Sequence, residues 1–306
     1  MKNCLAVKRN EKVLIVTDKK LLKQEAAVFF ESAKKYAKEV TLVEISTGIE
    51  HAEEPPENVA EMMKMFDVSF LVTFYSLSHT KARLNACQNG ARVASLPTIT
   101  REIILRTLTI DYGEIAALSK KIAAIQTNGK KAVLTSKNGT NLTMSLVGRS
   151  AIADTGFFTN PGDFGNLPAG EAFIAPVEGK TNGVIIFDGC FGDIMLDRQI
   201  KVTVKNGLAT EIAGGQAARL LNERLARVGK LGYNIAEFGI GTNKMAKLGK
   251  SLLEVEKVYG TSHIALGSNA TFGGEVDVPF HSDGVILKPT IAIDDTIIIE
   301  EGEFKV

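Results

Sequence analysis

A chain of 306 residues, 45% hydrophobic and 23% charged, can bury more than one core and has the proportions of a folded globular protein, not a disordered or fibrous one. Its 36 basic side chains stand against 35 acidic ones, so no net field draws it to nucleic acid or to an anionic membrane, and neither is an expected partner. Cys4, Cys87 and Cys190 are scattered and odd in number, which suggests neither a disulfide framework nor a zinc knuckle.

VLIVT at 13–17 is too short an apolar run for a signal peptide and reads as a buried strand. No stretch approaches the roughly 20 apolar residues of a membrane-spanning helix, so a cytoplasmic protein is expected. A helix near 19–38 follows, with Leu21, Leu22, Ala26, Phe29, Phe30 and Ala33 at helical spacing. VTLVEI at 40–45 is the next strand. Glu-Glu-Pro-Pro at 53–56 opens a helix ending near Phe66, the prolines lying where a missing amide donor costs least. VSFLVTF at 68–74 and ARVASL at 91–96 are the third and fourth strands.

This alternation predicts an α/β domain with a parallel, doubly wound sheet over 1–130. No GxGxxG or GxxxxGK[ST] follows any of its strands, so a nucleotide site has no support. A helix over 111–127 and the Asn128-Gly129 pair place the boundary near 130. Beyond it, AVLTS and TNLTMSLVG flank Asn138-Gly139, and IKVTV and LATEI flank Asn206-Gly207. Both read as hairpins around type I′ turns, because both central residues take positive φ cheaply. With helices near 215–228 and 246–259, residues 131–306 are expected to form an antiparallel-rich α+β domain that carries a metal site. Cys87 and Cys190 read as buried small apolar residues.

The chemistry concentrates in that second half. Two of the four histidines, His263 and His281, lie in a stretch dense in Gly and acidic residues. In HSD, His281 and Asp283 point to one face of a strand and can grip one ion together. His263 opens the short apolar strand HIALG, whose small residues allow a ligand or another backbone to come close. Imidazole with carboxylate suits zinc, cobalt, manganese or iron. Glu237, in NIAEFGIGTN, sits between apolar neighbours before what reads as a glycine turn, so either a cation partners it or it faces solvent. Glu171, in GNLPAGEAFIAP, leads into an apolar run in the same way, with a solvated strand edge as its plainer reading.

The strings NLPAGEAFIAPVEG, AEFGIGTN, GTSHIALG and FHSDGVILKPT, in this order, resemble the aminopeptidase T family of metallopeptidases. The resemblance covers about 150–295 and continues more weakly through SLSHTKARLNACQNGARVASLPTIT. It implies that Glu171, Glu237, His263, His281 and Asp283 hold two divalent ions, zinc, cobalt or manganese, with Glu237 as the bridge and Glu171 and Glu237 serving catalysis. It also implies a homodimeric metallo-aminopeptidase that removes amino-terminal residues from a small peptide or aminoacyl substrate by a metal-activated water. That family's tyrosine shortly after the HIALG histidine has no counterpart, since the segment before His281 offers Ser268, Asn269, Thr271 and Phe272.

Two other readings compete. A 2,5-dihydroxypyridine dioxygenase of similar fold would use one ferrous ion, for which His263, His281 and Asp283 form a two-histidine, one-carboxylate triad. A non-catalytic relic is disfavoured by retention of all five candidate ligands. His79, in SLSHTKAR, reads as a helix-start histidine that could also reach a cleft between the halves.

Overall fold

The computed structural model describes residues 1–21, 23–249 and 251–306; Leu22, expected in the first helix, lies outside them. Two compact units emerge, one of Met1–Glu114 with Gly156–Ala169 and one of Ile115–Thr155 with Gly170–Val306. The single boundary expected near 130 therefore stands beside a chain path that leaves the first unit, returns, and leaves again. The helix Gly113–Asn128 explains the placement of the first crossing, because its Ile122 and Ala123 belong to the core of the second unit.

In chain order the strands are β1 (Lys12–Asp18), β2 (Glu39–Ile45), β3 (Val68–Val72), β4 (Arg92–Ser95), β5 (Lys131–Thr135) and β6 (Asn141–Ser145). There follow β7 (Ile152–Asp154), β8 (Phe164–Asn166), β9 (Glu171–Ile174), β10 (Asn182–Phe187), β11 (Ile200–Lys205) and β12 (Leu208–Ala213). The last six are β13 (Ile235–Gly241), β14 (Ser262–Gly267), β15 (His281–Ile286), β16 (Thr290–Ile293), β17 (Thr296–Glu300) and β18 (Glu303–Phe304). The fold class expected from the sequence holds: a parallel sheet in one unit and antiparallel sheets in the other.

The first unit carries the parallel sheet β2-β1-β3-β4-β8. A parallel sheet covered on both faces needs unbroken apolar strands, and β3 is buried at every residue while β1 is buried from Val13 to Asp18. Helices Lys23–Ala33, Glu57–Met65 and Lys81–Gln88 pack around it, with Val59, Met63, Ala82 and Ala86 against Leu14, Val16, Leu71 and Val93. The first helix is shorter than the expected 19–38, since Asp18 accepts the backbone amides of Lys20 and Leu21 and holds them in a turn. Strand β8 has no counterpart among the expected elements, because FGN has no apolar pattern of its own. Cys87 and Cys190 are both half-buried, not buried as expected.

The second unit stacks the antiparallel sheet β12-β11-β10-β6-β5-β16-β17-β18 with a smaller one, β15-β14-β13-β9-β7. Leu134, Leu142 and Ile185 of the first meet Ile174, Phe238 and Ile264 of the second in one core. Helix Gln216–Val228 closes that core through Ala217, Leu221 and Leu225. Asn206 and Gly207 take φ of 48° and 75°, as a type I′ turn requires. The first hairpin differs: Gly139 alone has positive φ, and Asn138 instead accepts the Thr140 amide on its side chain. Of the helix expected over 246–259, in which Lys250 lies outside the described residues, the described residues form one over Leu252–Val255. Asn243 is the cause, since it holds the amides of Met245 and Ala246 on its side chain and pairs its backbone with Lys257 and Tyr259. Among the described residues no helix is long and apolar enough to cross a membrane.

At the start of β4, Arg92 is 4% exposed and donates to Glu11 at 2.6 Å. Truncating one partner of a buried pair strands the other charge. Glu11→Ala is therefore expected to lower unfolding free energy by about 3 kcal/mol in urea denaturation, whereas a loss under about 0.5 kcal/mol, the level of an ordinary surface change, would show the pair to be inert.

Candidate metal centre

All five candidate ligands lie on the smaller sheet of the second unit, and its register puts them on one face. Residues directly opposite on neighbouring strands share a face, as do residues two apart on one strand. Glu237 of β13 pairs with Ala265 of β14, which pairs with Asp283 of β15. One row away Gly239 pairs with His263, and at the other side Gly267 pairs with His281. Glu171 of β9 pairs with Gly241 and with Asp154 of β7. Large ligating side chains thus alternate with Gly or Ala on the same face.

The glycines of FGIG are inside a strand, not in the turn expected from sequence, and the crowding above them explains why. A Cβ on Gly239 would fall 1.8 Å from His263 Nε2, so the imidazole lies directly over that backbone. A Cβ on Gly241 would fall 2.1 Å from the carbonyl oxygen of Val258, so the segment carrying Lys257 packs onto the sheet there. The close approach that the small residues of β14 promised is realised on β13.

Two groups of three donors result, Glu171 with Glu237 and His263, and Glu237 with His281 and Asp283. His263 Nε2 is 3.2 Å from Glu237 Oε1 and 3.3 Å from Glu171 Oε2. His281 Nε2 is 3.5 Å from Glu237 Oε2 and 3.3 Å from Asp283 Oδ2. Glu237 therefore stands between two imidazoles. Glu171 and Glu237 are each 6% exposed and Asp283 is 8% exposed, so the solvated-edge reading of the two glutamates fails. His281 is the open rim, with a side chain 33% exposed.

The groups behind His281 favour metal binding there. Its Nδ1 donates to the carbonyl of Ser268 at 2.8 Å, which leaves the Nε2 lone pair of the neutral ring facing the carboxylates. Phe272 meets the His281 ring edge-on at 5.8 Å between centroids and Phe173 at 5.6 Å, forming an aromatic wall beside the opening. Phe272 thus lies beside the site where the metallopeptidase resemblance calls for a tyrosine. Two carboxylate oxygens of the set, Glu171 Oε2 and Asp283 Oδ1, are buried without a hydrogen bond, Glu171 Oε2 having only the His263 ring nitrogen at 3.3 Å. Orphaned polar atoms on a carboxylate-rich buried face are what a cation would satisfy.

Lys257 escaped the sequence reading altogether. Its Nζ donates to Glu171 Oε1 and lies 3.6 Å from Glu256 and 3.8 Å from Asp154. The only sequence signal is a Glu-Lys pair among apolar residues, in EVEKVYG, within what reads as an amphipathic helix. His79 is exposed in the turn ahead of helix Lys81–Gln88 in the first unit and belongs to neither donor group.

The buried charges shift one another. Burial works against a charge on His263, yet its hydrogen bond to Glu237 and the charges of Glu171, Glu237 and Asp283 prevail and raise its pKa to about 9. His281 rises to about 10, burial being outweighed by Asp283 and Glu237. Burial and then Asp283 push Glu237 above the usual carboxylate range, and the same two causes push Glu256 up to about 8. For Asp283, burial is outweighed by His281, His263 and Lys257, which hold it low.

Comparison with known proteins adds to this geometry. A family model described as NicX, 2,5-dihydroxypyridine 5,6-dioxygenase, matches residues 1–306. A solved 2,5-dihydroxypyridine dioxygenase from Pseudomonas putida KT2440 superposes with a TM-score of 0.80 at 20% identity, covering 97% of this chain and 92% of that one. Wild-type AmpT from Thermus thermophilus superposes with a TM-score of 0.75 at 16% identity, covering 100% of this chain and 97% of that one. No curated protein sequence matches. At these identities the two structures establish the shared fold alone. The family match over the whole chain overturns the expected metallo-aminopeptidase: hydrolase, protease and peptidase chemistry give way to that of a dioxygenase family. The aminopeptidase T resemblance is a resemblance of fold and donor strings, and a pair of zinc, cobalt or manganese ions has no support from the family.

The crowding over β13 and the coupled charges are each open to measurement. Gly239→Ala drives a methyl group into His263, so metal affinity should fall by about 10–100-fold, the usual cost of disturbing a ligand's support; unchanged affinity by metal titration would contradict the packing. The histidine pKa values set a pH window. A pKa raised on folding contributes stability fully below the unfolded value near 6.5 and loses it as pH passes through the folded value. The metal-free protein should therefore lose stability as pH rises through about 9 to 10. Metal uptake at pH 7.5 must also displace about two protons, measurable by calorimetry in buffers of different ionisation enthalpy; release of none would contradict it.

Proposed function

Because the chain belongs to the family of 2,5-dihydroxypyridine 5,6-dioxygenases, we propose that it is a ring-cleaving dioxygenase that uses one ferrous ion and acts on a hydroxylated aromatic heterocycle such as 2,5-dihydroxypyridine. The observation that carries this reading is the family match together with two histidines and a carboxylate, His263, His281 and Asp283, on adjacent strands of one sheet face, His281 and Asp283 in one donor group and His263 across Glu237 from them. A ferrous ion held there would supply the redox chemistry that inserts both atoms of dioxygen across a ring carbon–carbon bond.

The protein's own groups have separate tasks in this proposal. His281 is locked in the ligating tautomer by the Ser268 carbonyl. His263, 1% exposed, is held over Gly239 on the inner side of the centre. Glu237 faces both imidazoles, and its raised pKa suits it to accept a proton from a substrate hydroxyl at Oε1 or Oε2. The half-buried rings of Phe173 and Phe272 offer an apolar wall against which a planar ring can lie. An aromatic wall suits a flat heterocycle better than the charged amino terminus of a peptide, which also supports this reading.

The test is oxygen consumption by protein loaded anaerobically with ferrous ion and mixed with 2,5-dihydroxypyridine. One dioxygen should disappear per ring opened, with loss of the aromatic absorbance, and His281→Ala should abolish both. Hydrolysis of aminoacyl anilides without oxygen uptake, in zinc- or cobalt-loaded protein, would sink the proposal. Phe272→Ala should raise KM by about 3–10-fold at similar kcat, since it removes ring packing common to ground and transition states.

A further inference from the structure

We propose that Lys257 is a built-in cation that takes the place of a second metal ion on Glu171, so that this donor-rich face accepts one divalent ion only. The inference rests on the single-iron reading above and explains how a face with two donor groups can satisfy it.

Five carboxylates gather in the interior of the second unit, Glu171, Glu237 and Asp283 against the two imidazoles and Asp154, Glu256 and again Glu171 around Lys257. Such a set, in two groups of three sharing Glu237, is arranged as a two-ion centre would be. The group containing Glu171 is the one that Lys257 enters. Its side chain is 3% exposed, and its ammonium donates to Glu171 Oε1 while lying within 4 Å of Glu256 and Asp154. An ammonium has three donors and no acceptor, so it can serve three carboxylates at once and cannot ligate a metal while charged.

Placement is enforced by the backbone. The carbonyl of Lys257 accepts the Asn243 amide at 2.9 Å, and the Val258 carbonyl rests on Gly241, whose missing Cβ makes the room. Glu171 is left with Oε2 toward His263 and Oε1 on the ammonium. A divalent ion bound to Glu171, Glu237 and His263 would lie beside that ammonium in a buried, poorly screened setting, where like charges repel strongly. His281 and Asp283 lie outside the ion pairs of Lys257, which reach Glu171, Glu256 and Asp154, and they open to solvent at His281, so the one ion proposed for His263, His281 and Asp283 would be seated on that side of Glu237.

The experiment counts metal. Wild-type protein, Lys257→Met and Lys257→Arg are equilibrated with excess cobalt(II), desalted and analysed for metal per chain, with the cobalt spectrum recorded. The expected result is one equivalent for wild type and for Lys257→Arg, and two for Lys257→Met, with magnetic coupling between the ions. A second ion gained on deleting a charge is not what loss of a merely structural lysine would produce. Lys257→Gln, whose amide can still donate to Glu171, carries the same expectation and covers a failure of Lys257→Met to fold. If neither neutral variant takes up a second ion, the role assigned to Lys257 is wrong while the one-ion reading stands. Two equivalents in wild type would overturn both.

Discussion

Negative charge withheld from water governs this structure. Glu171, Glu237 and Asp283 are each under a tenth exposed, and they share one face of a five-stranded sheet with two histidines and, at its edge, Asp154. Burying so many carboxylates is tolerable only where positive charge is fixed among them. In the protein alone that charge comes from Lys257 and from protons on the imidazoles, which is why both histidine pKa values rise so far above 6.5. A metal ion exchanges for those protons. The centre is thus a place where proton binding, metal binding and fold stability are linked through the same few atoms.

The surrounding sequence obeys that requirement. Gly239, Gly241, Ala265 and Gly267 sit on the ligand face between the ligands, and all three glycines are overlain by groups that a Cβ would displace, the His263 ring, the Val258 carbonyl and the Phe280 carbonyl. On the opposite face of the same strands Phe238, Ile240, Ile264 and Leu266 enter the core of the second unit. Period-two alternation therefore separates a hydrophobic face that holds the sheet in place from a polar face that carries the candidate ligands.

Most of the architecture is legible where periodicity or turn chemistry is local. The parallel strands, the two Asn-Gly hairpins and the helix Gln216–Val228 all follow from runs of a few residues. The HxD pair is readable because a strand must bring His281 and Asp283 to one face, and Glu237 because an apolar setting makes a carboxylate conspicuous. What cannot be read depends on contacts distant in sequence. Strand β8 pairs in parallel with β4 although five other elements of the chain intervene, a juxtaposition visible only in the fold. Lys257 reaches Glu171 across 86 positions because Asn243 folds 243–259 back on itself instead of letting it run as a helix. The motif strings mislead on reaction class for a related reason: they report a donor set and a fold, and no motif contains the lysine proposed to set the number of ions.

A shared fold does not decide the reaction, and on the proposed reading it is the number and identity of the cations on this face that do. The proposed ring cleavage would use a single iron at His263, His281 and Asp283, with Glu237 facing it and Glu171 kept by Lys257. Anomalous diffraction from crystals of protein loaded anaerobically with ferrous ion, recorded on both sides of the iron edge, tests this most directly. The expected map has one iron peak within direct coordination distance of His263, His281 and Asp283, and no density between Glu171 and Glu237. Two peaks bridged by Glu237, or one seated on Glu171 with Lys257 displaced, would contradict it.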